Sequence, residues 1–299
     1  FADGIPAGKV WNWKTGATHT WRAAGDGARM TPEELAALDA RIEADKRARL
    51  AETRQREGEA AKLANHLWAS AEPVLGDAHP YLHRKGIASH GLRVVDWPLR
   101  NGEGEVFRTI PGTLVVPIMN AKGKIVSLQG IFPARDPRMA RDKDFLQDGK
   151  KQGCFFMIGT PPAAGGTVAF VEGYATGATV HHATGWCVVV CWDAYNLPRV
   201  AKAMREHLPH VEFVFAADND RWTLRPVENP GVTYAKRAAG EFGGRVAVPE
   251  FDDLDGKPTD FNDLHEREGI EAVQDILLPP MPATTAQVPA ARPALPAPA

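Results

Sequence analysis

Val168-Ala169-Phe170-Val171-Glu172-Gly173 is an apolar run of strand length that ends in an acid. Phe213-Val214-Phe215-Ala216-Ala217-Asp218-Asn219-Asp220 repeats that arrangement after a spacer long enough for helix, strand and helix. Short, continuous apolar runs of this kind read as strands buried in a parallel sheet. In an open parallel sheet, ligands bind outside the carboxyl ends of the strands. Glu172, Asp218 and Asp220 are therefore expected at one edge. Carboxylates gathered there repel one another unless a cation joins them, and an all-oxygen set suits Mg²⁺ or Mn²⁺.

Working outward, strands are expected at about 167–172, 186–192, 211–217 and 245–249. Helices are expected at about 175–184, 197–208, 232–242 and 269–277. This alternation argues a parallel sheet with right-handed crossovers, flanked by helices. Glu172-Gly173 and Asp218-x-Asp220, each behind a hydrophobic strand, resemble the TOPRIM domain. That metal-binding fold is shared by bacterial-type primases, topoisomerases and some nucleases and recombination proteins. A flavodoxin-like or Rossmann-like domain with incidental acids would show the same alternation.

The chain has 299 residues, room for two modest domains. Its 44% hydrophobic and 24% charged content is ordinary for a globular protein. The formal net charge of −2 means that a nucleic-acid site must be a local patch. No apolar stretch is long enough for a bilayer, so no membrane partner is expected. The amino end, Phe1-Ala2-Asp3-Gly4, has neither a charged leader nor an initiator Met, as expected of a chain that starts inside a longer protein. Cys154, Cys187 and Cys191 make no disulfide framework, and no zinc-finger spacing accompanies them, so no zinc is expected. Cys187 and Cys191 share one face of a strand and read as core thiols. A reducing cytoplasmic setting fits.

Five stretches follow. Residues 1–30, with Trp11, Trp13 and Trp21, read as strands and turns left from a preceding domain. Residues 31–71 read as a long charged helix, with Thr31 as N-cap, Pro32 in the first turn, Glu34 closing a capping box, and a possible break at Gly58. Residues 72–165 read as a smaller α/β module with a short helix closed by Gly86 and a hairpin, Gly112–Met119 and Ile125–Gly130. Residues 166–278 form the TOPRIM-like unit. Residues 279–299 are Pro/Ala-rich and read as a disordered tail.

The order of motifs resembles bacterial replicative primases and looks closer to primases of plasmids, phages and conjugative elements. Tyr81-Leu82-His83-Arg84-Lys85-Gly86 is followed by Pro117-Ile118-Met119-Asn120-Ala121-Lys122-Gly123-Lys124-Ile125. Lys143-Asp144-Phe145-Leu146-Gln147 and Gly153-Cys154-Phe155-Phe156-Met157-Ile158-Gly159 come next. The resemblance covers about 69–270. It implies a DNA primase that uses Mg²⁺ or Mn²⁺, a single-stranded DNA template and nucleoside triphosphates, with a helicase or other replication or transfer proteins as further partners. Glu172 would be a metal ligand or general base, and Asp218 and Asp220 ligands. The late acidic motif, with Asp260 and Asp263, would contribute to a second metal, although Asp260 is also a natural helix cap. Arg108, Arg135, Arg138, Arg141, Lys143, Lys150 and Lys151 form a basic tract suited to template and nucleotide phosphates. Three departures stand out: no zinc ribbon, Thr176 where an Asp often stands, and Ile158 in place of a Lys. The alternatives are a non-catalytic single-strand-binding module of a mobilisation protein, or a TOPRIM nuclease.

Overall fold

The computed structural model describes residues 7–11, 18–22, 31–139, 141–162 and 165–278. Trp13 and the Pro/Ala-rich stretch 279–299 lie outside them. β1 (Ala7–Trp11) and β2 (Thr18–Arg22) pair as an antiparallel ribbon, with Trp21 exposed. α1 (Pro32–Ser70) starts at the capping box: Thr31 Oγ1 accepts from the Glu34 N–H, and Glu34 accepts from the Thr31 N–H at 2.8 Å. The helix runs 39 residues, about 58 Å at 1.5 Å per residue, straight through Gly58. The break expected at Gly58 does not occur. One exposed glycine costs only about 1 kcal/mol against alanine, and the Ala, Glu, Lys and Arg residues around it favour the helix. Only its last third is anchored, where Ala60, Ala64 and Leu67 are buried.

Five antiparallel strands follow: β3 (Glu72–Pro73), β4 (Arg93–Arg100), β5 (Val106–Met119), β6 (Ile125–Asp136) and β7 (Arg141–Phe145), adjacent in that order. The short helix α2 (Pro80–Arg84) lies between β3 and β4, and Gly86 just after it has a φ of +59°. The β5–β6 turn holds because Asn120 Oδ1 accepts the Lys122 and Lys124 N–H groups and Gly123 has a φ of +71°. The buried face of α1 packs on this sheet against Trp97, Leu99, Val115, Leu128 and Phe132.

The second sheet comprises β8 (Phe156–Ile158), β9 (Thr167–Val171), β10 (Cys187–Val190), β11 (Glu212–Ala216) and β12 (Arg245–Ala247). Its order is β12-β11-β9-β10-β8, parallel except for the β10–β8 pair. α3 (Tyr174–Thr184), α4 (Leu197–His207), α5 (Pro230–Phe242), α6 (Phe261–Glu268) and α7 (Ile270–Leu277) complete the unit. α4 and α5 cover one face around Phe170, Phe213 and Phe215. Residues of α3, α6 and α7 share the opposite core with both sheets, where Leu114, Val116 and Ile118 meet Val171, Val188 and Val214. Cys187 and Cys191 are both buried in the α4–α5 core.

β8 lies before residue 166 but pairs with β10, so the second sheet reaches back across the boundary read from the sequence. The neighbouring Phe155 bridges to Met119 of the first sheet. This apolar run thus has a partner in each sheet, and its three-residue strand is too short to declare which one from sequence.

Candidate active site

The register of the parallel sheet brings the acids together. Phe215 of β11 stands opposite Phe170 of β9, which places Glu172 level with Ala217 and Asp218 one residue beyond. Both acids emerge from strand ends anchored by buried aromatics, with Phe170 stacked on Phe215 at 5.0 Å between centroids. Glu172, Asp218 and Asp260 line one cavity of about 290 Å³ with Gln129, Lys143, Phe145, Thr176 and Trp192. Strands of the first sheet therefore supply the wall opposite the carboxylates.

Burial dominates the electrostatics of these acids. Glu172 is pushed up to about 8 by burial, then by the charges of Asp220 and Asp193, with the Ala194 N–H partly offsetting them. Asp218 is held well above the usual carboxylate range by burial, then by Glu172, Asp260 and Asp220. Asp220 is also raised by burial, against a hydrogen bond from the Gly231 N–H at 3.1 Å. Asp260 is raised by burial and by Asp263. Such mutual repulsion in a poorly solvated place is the condition that a cation relieves.

Asp260 and Asp263 already serve the helix. Asp260 Oδ1 accepts the Asn262 and Asp263 N–H groups, and Asp263 Oδ2 accepts the Asp260 N–H at 3.5 Å, forming a capping box for α6. Lys85 stands 3.6 Å from Asp263 and 3.3 Å from Glu266. Asp260 still reaches the cavity, whereas Asp220 and Asp263 do not line it.

Two carboxylate oxygens, Glu172 Oε1 and Asp218 Oδ1, are buried with no hydrogen-bond partner among the described residues. Orphaned acceptors of this kind need an explanation, and an all-oxygen donor set fits a hard divalent cation. Among the described residues, no three His, Cys, Asp or Glu side chains are already drawn together as a finished metal cage.

The basic tract divides. Lys143 lines the cavity and is solvent-exposed there. Surrounding protein pulls its pKa down, but Tyr81, Asp142 and Asp260 outweigh that and leave it above its ordinary value. Lys151 pairs with Asp193 at 3.3 Å and lies over the Phe145 ring at 4.3 Å. Lys150 is exposed. Arg108 is paired with buried Asp136, and Arg141 with Asp144 at 2.8 Å. Arg135 and Arg138 are exposed on the β6 side of the first sheet. Of the two substituted positions, Thr176 lines the cavity from the first turn of α3, while Ile158 is buried in the core between the sheets.

Two participants were missed in the sequence. Asp193 follows Trp186-Cys187-Val188-Val189-Val190-Cys191-Trp192, another apolar run that ends in an acid, so the same signal was present. Gly231 is the second, in the first turn of α5. A Cβ there would overlap the Asp218 carbonyl oxygen and lie 2.8 Å from Glu172 Oε1. Pro230 marked the helix start, but nothing in the sequence showed what Gly231 faces.

No protein-family model matches the chain. Two proteins called DNA primase TraC, both from Escherichia coli, do match it. One is 34% identical over 258 residues, covering 83% of this chain and 22% of the relative. The other is 33% identical over 253 residues, covering 83% of this chain and 16% of the relative. The chain is related to the TraC DNA primases. It spans at most about a fifth of the length of these curated relatives. Among solved structures, a DnaG primase catalytic domain bound to ssDNA is 15% identical with a TM-score of 0.49, over 76% of this chain and 79% of that one. The primase fragment of the bacteriophage T7 primase-helicase protein is 16% identical with a TM-score of 0.46, over 70% and 79%. In this TraC relative, Glu172, Asp218 and Asp220 follow strands of the parallel sheet, and the antiparallel sheet shares a core with it.

Proposed function

We propose that the chain is the catalytic core of a DNA primase, making short primers on single-stranded DNA by divalent-metal-assisted nucleotidyl transfer in the replication or transfer of a mobile element. The observation that carries the reading is the meeting of Glu172, Asp218 and Asp260 in one cavity of a TraC-related chain, with two of their oxygens unpartnered. Glu172, Asp218 and Asp220 would hold Mg²⁺ or Mn²⁺, and Asp260 would share in a second ion. Such ions, when bound, neutralise phosphate charge and lower the cost of forming the attacking and leaving oxygens.

The chain's own groups position the reactants. The Gly231 N–H fixes Asp220. Lys143 presents a cation to phosphate across the cavity from the acids. Lys151 is kept beside the site by Asp193 and Phe145. Phosphoryl transfer asks little else of a protein than positioning and charge neutralisation. Nucleoside triphosphates and a single-stranded template would be the substrates, and a helicase or other replication or transfer proteins the partners. Among the described residues, no helix is long and apolar enough to cross a membrane. A cytoplasmic setting would keep the buried cysteines reduced.

Incubation of the chain with defined single-stranded templates, labelled nucleotides and Mg²⁺ or Mn²⁺ tests the reading. Short template-dependent products are expected. Template degradation in place of synthesis would assign the site to a nuclease.

A further inference from the structure

The loop after Asp220 carries a feature that the carboxylates do not require. Trp222, two residues beyond Asp220, is 43% exposed. An aromatic ring of that size gains most by burial, and Trp is enriched where a partner covers it. Lys257, from the loop that leads to Asp260, sets its ammonium 5.8 Å from the centroid of the Trp222 indole. Arg225, three residues on in the same loop, is exposed and makes no ion pair among the described residues.

These groups are tied to the acids. The Thr223 N–H donates to the Asp220 carbonyl at 2.8 Å. The Asn219 N–H donates to the Thr259 carbonyl at 2.7 Å, and Asn219 Nδ2 donates to the Pro249 carbonyl at 3.0 Å. Asn219 is itself buried, so it fastens the loop that carries Trp222 to the loop that carries Lys257. The loop that carries Trp222 is thus tied by its backbone to Asp220 and to the loop that carries Lys257.

We infer that Trp222, Lys257 and Arg225 form a stacking platform for a nucleobase and its adjoining phosphate beside the acid cluster. This deepens the primase reading and rests on it for the source of the base. Every base has a π-face, so an indole accepts any of them, while flanking cations take the phosphate. The base belongs either to the template strand or to a nucleoside triphosphate, and both present this chemistry.

The test compares the whole chain with Trp222→Ala, Trp222→Phe, and the double variant Arg225→Ala, Lys257→Ala. Three probes are titrated: a labelled oligothymidylate, an abasic strand of equal length, and a nucleoside triphosphate. Trp222→Ala is expected to weaken binding to a base-bearing probe about 5- to 150-fold and to leave the abasic strand unaffected. Trp222→Phe should retain most of the affinity. The double variant should weaken base-bearing and abasic strands alike. Loss on the oligothymidylate assigns the platform to the template, and loss on the triphosphate assigns it to the incoming nucleotide. An unchanged preference for base-bearing over abasic strands, with unchanged triphosphate binding, overturns the platform. So does a wild-type chain that binds none of the probes. Primer synthesis is measured alongside. A chain that makes no primers yet shows the Trp222-dependent preference loses the primase reading and keeps the platform. A chain that makes primers with no Trp222 dependence does the reverse.

Discussion

The Gly231 N–H donates to Asp220 Oδ2 at 3.1 Å, so the first turn of α5 holds the second acid of Asp218-x-Asp220 in place. The same glycine leaves room for Glu172 and the Asp218 backbone, since a Cβ would collide with the Asp218 carbonyl oxygen. One residue without a side chain therefore sets the spacing of three acids.

Gly231→Ala should destabilise the fold by about 1–3 kcal/mol in urea denaturation and lower primer synthesis by on the order of 100-fold, the penalty for small displacements of reacting groups. Gly240→Ala, in the same helix with nothing within 4 Å of the added Cβ, is the control. It should be neutral or stabilising by up to about 1 kcal/mol. Equal effects of the two variants would remove the positioning role of Gly231.

Stability of the metal-free chain should fall as pH rises from about 4.5 to about 8. Folded Glu172 titrates near 8 against an ordinary 4.5, so across that window the folded state holds a proton that the unfolded state has lost. Unfolding then becomes easier with each pH step and levels off above 8. Asp218, raised in the same sense, adds to the slope. The change should be of the order of a few kcal/mol. Denaturation with chelator present, at pH 5, 6.5 and 8, checks this. Glu172→Gln should flatten the curve, and a wild-type curve that rises through the window would contradict the burial of the acid.

Mg²⁺ or Mn²⁺ should raise the thermal midpoint more at pH 8 than at pH 6, because protons compete for the same oxygens. Asp218→Asn should abolish most of that shift. A shift of the same size in the variant would place the ion elsewhere.

Combined replacement of Lys143 and Lys150 by Ala should weaken single-strand binding and reduce its logarithmic salt dependence by about 1.4 units, at roughly 0.7 per phosphate contact. Arg108→Ala should leave that slope alone, since Arg108 is spent on Asp136. Fluorescence anisotropy across a salt series separates the two.

Much of the fold was legible because local signals and tertiary demands agree. The runs before Glu172 and Asp218 are apolar for as long as a buried strand lasts, and the helices between them come close to their expected ends. Thr31, Pro32 and Glu34 announce α1 by capping chemistry alone. What stayed hidden depends on partners far away in the chain. Nothing near Arg108 shows that Asp136, 28 residues on, neutralises it, and nothing near Phe156 shows which sheet receives it. Asp193 is different, because the apolar run Trp186–Trp192 before it carries the same strand-then-acid signal as the runs before Glu172 and Asp218. The meeting of Trp222 with Lys257 could not be read at all, because it depends on Asn219 joining two loops.

The central claim, that Glu172, Asp218 and Asp220 perform the chemistry, is tested most directly by primer yield from the wild-type chain and from Asp218→Asn combined with Asp220→Asn, with single-strand affinity measured in parallel. The double variant removes two charges from a crowded acidic site and leaves Lys143 in place. It should make no primers and bind the strand as well as wild type, or slightly better. Primer synthesis by the variant at the wild-type rate, or strand binding without synthesis by both proteins, would contradict the assignment.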